Sequence, residues 1–168
     1  MNTWIPKLAA ALAAAQWSAT TLVAAGPIDV CAAVTPVEAA SVMGPLPSQP
    51  PSKTDNAGFG MSTCIYLGPR VSGQGAQTVM LRLTVQAGAS KDAADMTQYY
   101  ADTHKATTAL AGVGESAKRS ADGAFVWAKQ GSVYCTAEIA NGLPKGSTVD
   151  ATAAKLGGLC KKVFAIAH

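Results

Sequence analysis

Most of the reactive chemistry in this chain rests on four cysteines, two histidines and a few paired carboxylates. The cysteines are Cys31, Cys64, Cys135 and Cys160, separated by 33, 71 and 25 residues. A zinc site is normally built on close pairs such as C-x-x-C, because two ligands from one turn lower the entropic cost of assembly. Thiol–disulfide catalysts use the same short spacing. The chain has no such pair, and only His104 and His168 could assist. An even count in a small domain points instead to two disulfides and an oxidising compartment. Three pairings are possible. Cys31–Cys64 with Cys135–Cys160 is favoured, since each bond would tie a helical or helix-flanking cysteine down onto a strand. Each would close a loop of about 25 to 35 residues, worth on the order of 3 to 4 kcal/mol. The alternative is Cys31–Cys160 with Cys64–Cys135.

No familiar catalytic spacing is present: no G-x-S-x-G, S-x-x-K, H-E-x-x-H or phosphate-binding loop. Gly73-Gln74-Gly75 and Gly112-Val113-Gly114 lack the third glycine of a dinucleotide fingerprint and read as turns. His104 falls late on an expected helix, beside Asp102 and Lys105. As a general base it would need a nucleophile or water and an orienting group. The preferred reading is a solvent-facing histidine near a helix C-terminus. Asp92 and Asp95 have cation-binding spacing but also suit the positive end of a helix, which is preferred. Met43, Met61, Met80 and Met96 form no M-x-x-M cluster and read as packing rather than copper ligands. No metal or cofactor is expected.

The basic doublets Lys118-Arg119 and Lys161-Lys162 are too short for a nucleic-acid surface, and the net charge is only +3. The candidate binding surface is aromatic: Phe59, Tyr66, Tyr99, Phe125, Trp127 and Tyr134. Phe125 and Trp127 share strand parity, with Tyr134 on the next strand. If that parity faces the helices they are core, which is favoured. If it faces outward they form a patch for a ligand or partner.

The elements that must position these residues carry clear signals. Thr35-Pro36-Val37-Glu38 is an N-cap, a first-turn proline and a capping-box acid, and Gly44 ends that helix. Residues 45–60, with four prolines and Asp55-Asn56-Ala57-Gly58, read as an extended loop. Residues 62–67 read as a strand and 68–77 as a glycine-rich turn. Over 78–86, Val79, Leu81, Leu83 and Val85 alternate with Thr78, Met80, Arg82 and Thr84, as on a half-buried antiparallel strand. Ser90 caps a second helix to about His104, and a loop covers 106–114. Three short strands follow over 115–120, 124–129 and 132–140, turned at Asp122-Gly123 and Gln130-Gly131. A last helix from about Asp150 stacks Leu156, Leu159, Val163 and Phe164 on one face. Gly157-Gly158 interrupts it, which close packing on the sheet would explain. The order α-β-β-α-β-β-β-α predicts an α+β two-layer sandwich: a mostly antiparallel sheet of about five strands, with helices on one face.

The 168 residues bound a single domain. Hydrophobic residues make up 49%, but alanine supplies 34 positions and charged residues only 14%. Residues 1–25 place Lys7 before an Ala/Leu-rich run ending in Val23-Ala24-Ala25, the pattern of a cleaved secretory signal. The membrane is then met only transiently. Polar Gln16, Ser18, Thr20 and Thr21 argue against a membrane anchor, the alternative reading. Residues 26–168 are expected to form the domain, periplasmic or secreted.

Asp29-Val30-Cys31, Thr35-Pro36-Val37-Glu38 with Gly44, Cys64-Ile65-Tyr66 and Gly112-Val113-Gly114-Glu115-Ser116-Ala117 form an ordered series. In it the chain resembles small secreted bacterial lipoprotein-type domains of unassigned function. More loosely, it resembles extracytoplasmic sensor domains of bacterial Ser/Thr kinases. The resemblance implies a non-enzymatic binding or sensing module with its first and second cysteines paired. The chain departs from that pattern in lacking a lipobox before Cys31 and any kinase on the same polypeptide. The expected function is a soluble periplasmic or secreted module for an envelope ligand or protein partner. The alternatives are an inhibitor or immunity-type protein acting through loop 45–60 and a small hydrolase using His104.

Overall fold

The computed structural model describes residues 28–70, 78–88, 91–141 and 143–167. The export segment over 1–25, the centre of the glycine-rich turn and the Ser90 cap lie outside the described residues. Asp29 caps a one-turn helix α1 (Val30–Ala33), its Oδ1 accepting from the Cys31 and Ala32 N–H groups. The capping box then starts α2 (Pro36–Met43): Thr35 accepts from the Glu38 N–H, and Glu38 accepts from the Thr35 N–H at 2.8 Å. Lys162 Nζ lies 2.6 Å from Glu38. This contact, with the Thr35 bonds, holds the Glu38 carboxyl down at about 2.

The strands are β1 (Ser52–Asn56), β2 (Met61–Arg70), β3 (Thr78–Ala87), β4 (Thr108–Ala109), β5 (Ser116–Arg119), β6 (Phe125–Gln130) and β7 (Val133–Ala140). Helix α3 (Lys91–Thr103) joins β3 to β4, and α4 (Val149–Ile166) closes the chain. All pairs are antiparallel, in the order β1-β2-β3-β7-β6-β5-β4. The α3 connection therefore carries the chain to the far edge, and a four-strand meander brings β7 back beside β3.

The α+β class and antiparallel sheet agree with the pattern read from sequence, but the sheet has seven strands rather than five. Both additions lie in segments expected to be loops. Strand β1 is wholly exposed and β4 is two residues long, so neither has the apolar alternation that marks a strand. Each exists because a neighbour offers an open edge for backbone hydrogen bonds. Between β1 and β2, residues Ala57–Phe59 form a 3-10 turn ending at Gly60.

The inner face carries the main core: Cys64 and Tyr66 of β2, Leu81, Leu83 and Val85 of β3, Val126 and Ala128 of β6, and Cys135, Ala137 and Ile139 of β7. Helices α1, α2 and α4 cover it, α4 through Leu156, Leu159, Val163 and Phe164. The favoured disulfides are formed: Cys31–Cys64 ties α1 to β2, and Cys135–Cys160 ties β7 to α4. The helices do not all lie on one face as expected. Helix α3 crosses the opposite face, where Ala101, Ala106, Phe125 and Trp127 form a second small core.

The two helical glycines differ. A Cβ on Gly157 would meet Val113 Cγ2 at 2.7 Å and Leu110 Cδ2 at 3.0 Å, so the close approach it permits is to the loop before β5, not to the sheet. A Cβ on Gly158 would meet nothing within 4 Å among the described residues. Gly158→Ala is therefore expected to raise stability by up to about 1 kcal/mol through helix propensity. Gly157→Ala should lower it by about 1 to 2 kcal/mol, because overpacking against buried Val113 outweighs the same gain. Urea unfolding of the two variants checks this, and shifts of the same sign would contradict it.

Candidate functional site

The outer face is built from the polar parity of the strands. Register aligns Thr54, Thr63, Thr84, Thr136 and Trp127 in one row across β1, β2, β3, β7 and β6. The adjacent row runs Ile65, Arg82, Glu138 and Phe125. Helix α3 covers part of this surface and leaves a cleft of about 150 Å³ beside its C-terminal end. Met61, Thr63, Arg82, Thr84, Tyr100, His104, Phe125, Thr136 and Glu138 line it.

A Schellman motif places His104. Lys105 adopts a left-handed φ of 50°. This lets the Ala106 N–H reach the Ala101 carbonyl at 2.8 Å and the Lys105 N–H reach that of Asp102 at 3.0 Å. A left-handed non-glycine residue costs of order 1 kcal/mol, and burial of Ala101 against Ala106 offsets it. His104, as the helix cap, is turned onto the sheet. Its ring stacks on Phe125, centroids 4.1 Å apart and planes 3° from parallel. It is half-buried there rather than solvent-facing.

Across the cleft, Arg82 Nη1 lies 3.3 Å from Glu138 Oε2. This is a cross-strand pair between residues in register on β3 and β7. The Thr63 and Thr84 hydroxyls hydrogen-bond each other at 3.0 Å. On the other side of His104, a second depression includes Ser120 and Asp122. Ser120 Oγ donates to Asp122 Oδ1 at 2.5 Å, and the Ala124 N–H also donates to that oxygen. The Ser120 bond first, then the Ala124 bond, lowers the Asp122 pKa, with the nearby His104 charge a further cause. Serine, histidine and aspartate thus meet here, but in the wrong order for nucleophilic catalysis. The serine donates to the carboxylate and accepts from the Phe125 N–H, which fixes the β5–β6 turn. Among the described residues, no three His, Cys, Asp or Glu side chains are grouped to hold a metal ion.

The aromatic residues singled out from sequence are divided among separate places. Phe125 (3% exposed) and Trp127 (7%) have outward parity yet are buried, because α3 and the turn after it cover them. Tyr134 packs beside them half-buried, under Lys129 Nζ at 5.8 Å from its ring centroid. Tyr66, placed among the surface candidates, is wholly buried in the inner core, its hydroxyl donating to the Val34 carbonyl. Tyr99 is exposed on the outside of α3, away from the sheet. Phe59 sits exposed before β2, its carbonyl accepting from Gln86 Nε2. Only Phe125 of the six lines the cleft. The polar groups around it, Arg82, Glu138 and the three threonines, are not marked as a site by sequence. Their one signal is the polar parity of β3 and β7. What sequence withholds is the register that sets β7 against β3. Residues 45–60 are not loop throughout, since Ser52–Asn56 is a strand and the Ser48 N–H donates to the Leu67 carbonyl.

No protein-family model, curated protein or solved structure matches the chain.

Proposed function

We propose that this chain is a non-enzymatic, periplasmic or secreted binding module whose ligand site is the cleft between α3 and the outer sheet face. The two disulfides fit an oxidising extracytoplasmic setting, and no helix among the described residues is long and apolar enough to cross a membrane. With the secretory pattern of residues 1–25, this supports an exported domain. One observation carries the site: a sheet face half-roofed by a helix gathers Arg82, Glu138, His104 and three threonine hydroxyls around a concave space. Small-ligand sites join an apolar or aromatic wall to a few convergent polar groups; this cleft has both, with the polar groups in the majority. A second reading, hydrolysis using His104, draws on the proximity of Asp122 and Glu138, but among the described residues no nucleophile is placed to donate to the imidazole.

The test is an NMR screen of the oxidised, isotope-labelled protein against pools of amino acids, sugars and dicarboxylates. Amide shifts at Thr63, Thr84, Thr136 and Glu138 are expected from at least one pool. Thr136→Phe, which fills the cleft with a residue well suited to a strand, should abolish them without altering the circular dichroism spectrum. Shifts clustered elsewhere, or none from any pool, would overturn the assignment. Turnover of ester or amide substrates that is lost in His104→Ala would establish the second reading instead.

A further inference from the structure

Resting on that reading of the cleft, we infer that its ligand is a small zwitterion of α-amino-acid type, its carboxylate on Arg82 and its primary ammonium on Glu138. The first ground is unused capacity. A guanidinium has five N–H donors and a carboxylate about four acceptor sites. Among the described residues, Arg82 and Glu138 make a single contact, with each other at 3.3 Å. An isolated pair of this kind contributes on the order of 0 to 1 kcal/mol, so it competes weakly with a ligand laid across both charges.

The second ground is charge balance. An anion drawn to Arg82 would lie against the Glu138 carboxylate, and a cation drawn to Glu138 would lie against Arg82, and repulsion of either kind is costly. A molecule carrying both charges, laid antiparallel across the pair, adds two external pairs beside the internal one. The pair fixes the spacing too. Two charges 3.3 Å apart match an ammonium and a carboxylate joined through one carbon, not the ends of a long chain. The third ground is the surround. The Thr63–Thr84 hydroxyl pair and Thr136 stand one row away, and Met61, Tyr100 and Phe125 close the space at about 150 Å³. That suits a short side chain, apolar or bearing one hydroxyl.

Titrations by NMR with L-alanine and L-serine test this, with N-acetyl-L-alanine (anion only), L-alanine methyl ester (cation only) and glycine betaine (no N–H donor) as comparators. The two amino acids should shift Thr136 and Glu138, and each comparator should bind at least about tenfold more weakly, the usual effect of losing one charged hydrogen bond. Glu138→Gln should weaken L-alanine by a similar factor while bringing N-acetyl-L-alanine level with it. Arg82→Gln should do the reverse for the methyl ester. Comparators that bind as tightly as L-alanine, or variants that leave its affinity unchanged, would overturn the inference. Sugars or dicarboxylates that shift the cleft when amino acids do not would refute the zwitterion and leave the cleft as the site. Silence from every probe would remove both.

Discussion

Replacing Cys135 and Cys160 together by alanine is expected to cost about 3 to 4 kcal/mol. The bond joins the middle of β7, a central strand, to the middle of α4, across a sequence separation of 25 residues. Closing a loop of that size removes about 3 kcal/mol or slightly more of unfolded-state entropy in the chain model. Both cysteines are also wholly buried, so the variant loses packing as well. Alanine is the better test than serine, because a serine would add the separate cost of an unpaired buried hydroxyl. Against a net stability of about 5 to 15 kcal/mol for a domain of this kind, such a loss is a large fraction. Urea unfolding should show the midpoint falling in the double variant, with a larger fall when the wild type is reduced, because reduction opens the Cys31–Cys64 bond as well. The Cys31–Cys64 bond closes a similar span of 33 residues but anchors only the four-residue α1. Its removal should loosen the N-terminal segment while α4 keeps its amide protection. A loss below about 1 kcal/mol in Cys135→Ala with Cys160→Ala would mean that α4 is held by its apolar face alone.

Local chemistry written into a few neighbouring residues is legible in the sequence itself. The capping box at Thr35 and Glu38, the alternation of β3, the apolar face of α4 and the pairing of the cysteines each depend on short-range pattern or on one geometric argument. Strands β1 and β4 are not legible in that way, because their residues have no buried side and take strand form only from the edge beside them. The position of α3 is hidden for a related reason. Among the described side chains its buried residues are Thr97 and Ala101, a small helix face that gives no strong apolar stripe, so nothing says which side of the sheet it will take. The two alternatives for Phe125 and Trp127, helix-facing core or outward patch, both assume a single helical layer. The structure has a second one, and these residues are outward-pointing and core at once. The candidate site is the least legible part, since Arg82 and Glu138 lie 56 residues apart and meet only through the β3–β7 register.

The second layer makes Phe125 the other position where a large effect is expected. Phe125 is 3% exposed, fills the space under the end of α3 and supports the His104 ring at 4.1 Å. Phe125→Ala should cost about 3 kcal/mol, the low end for a buried phenylalanine, because a thin layer near the surface can collapse in part. The loss should be local. Helix α3 and Trp127 share a core separate from the one that holds α4, so α3 amides should exchange faster while α4 amides hold. Trp127 supplies an internal reporter. Its indole Nε1 is buried with no hydrogen-bond partner among the described residues, so once α3 lifts, that N–H gains water and its exchange should accelerate sharply. Phe125→Leu, which keeps most of the volume but not the flat face under His104, should retain most of the stability while freeing the imidazole. Hydrogen exchange of the two variants separates packing from stacking. If α3 and α4 lose protection together in Phe125→Ala, the outer layer is no independent unit, and the cleft beneath it is only as mobile as the whole domain.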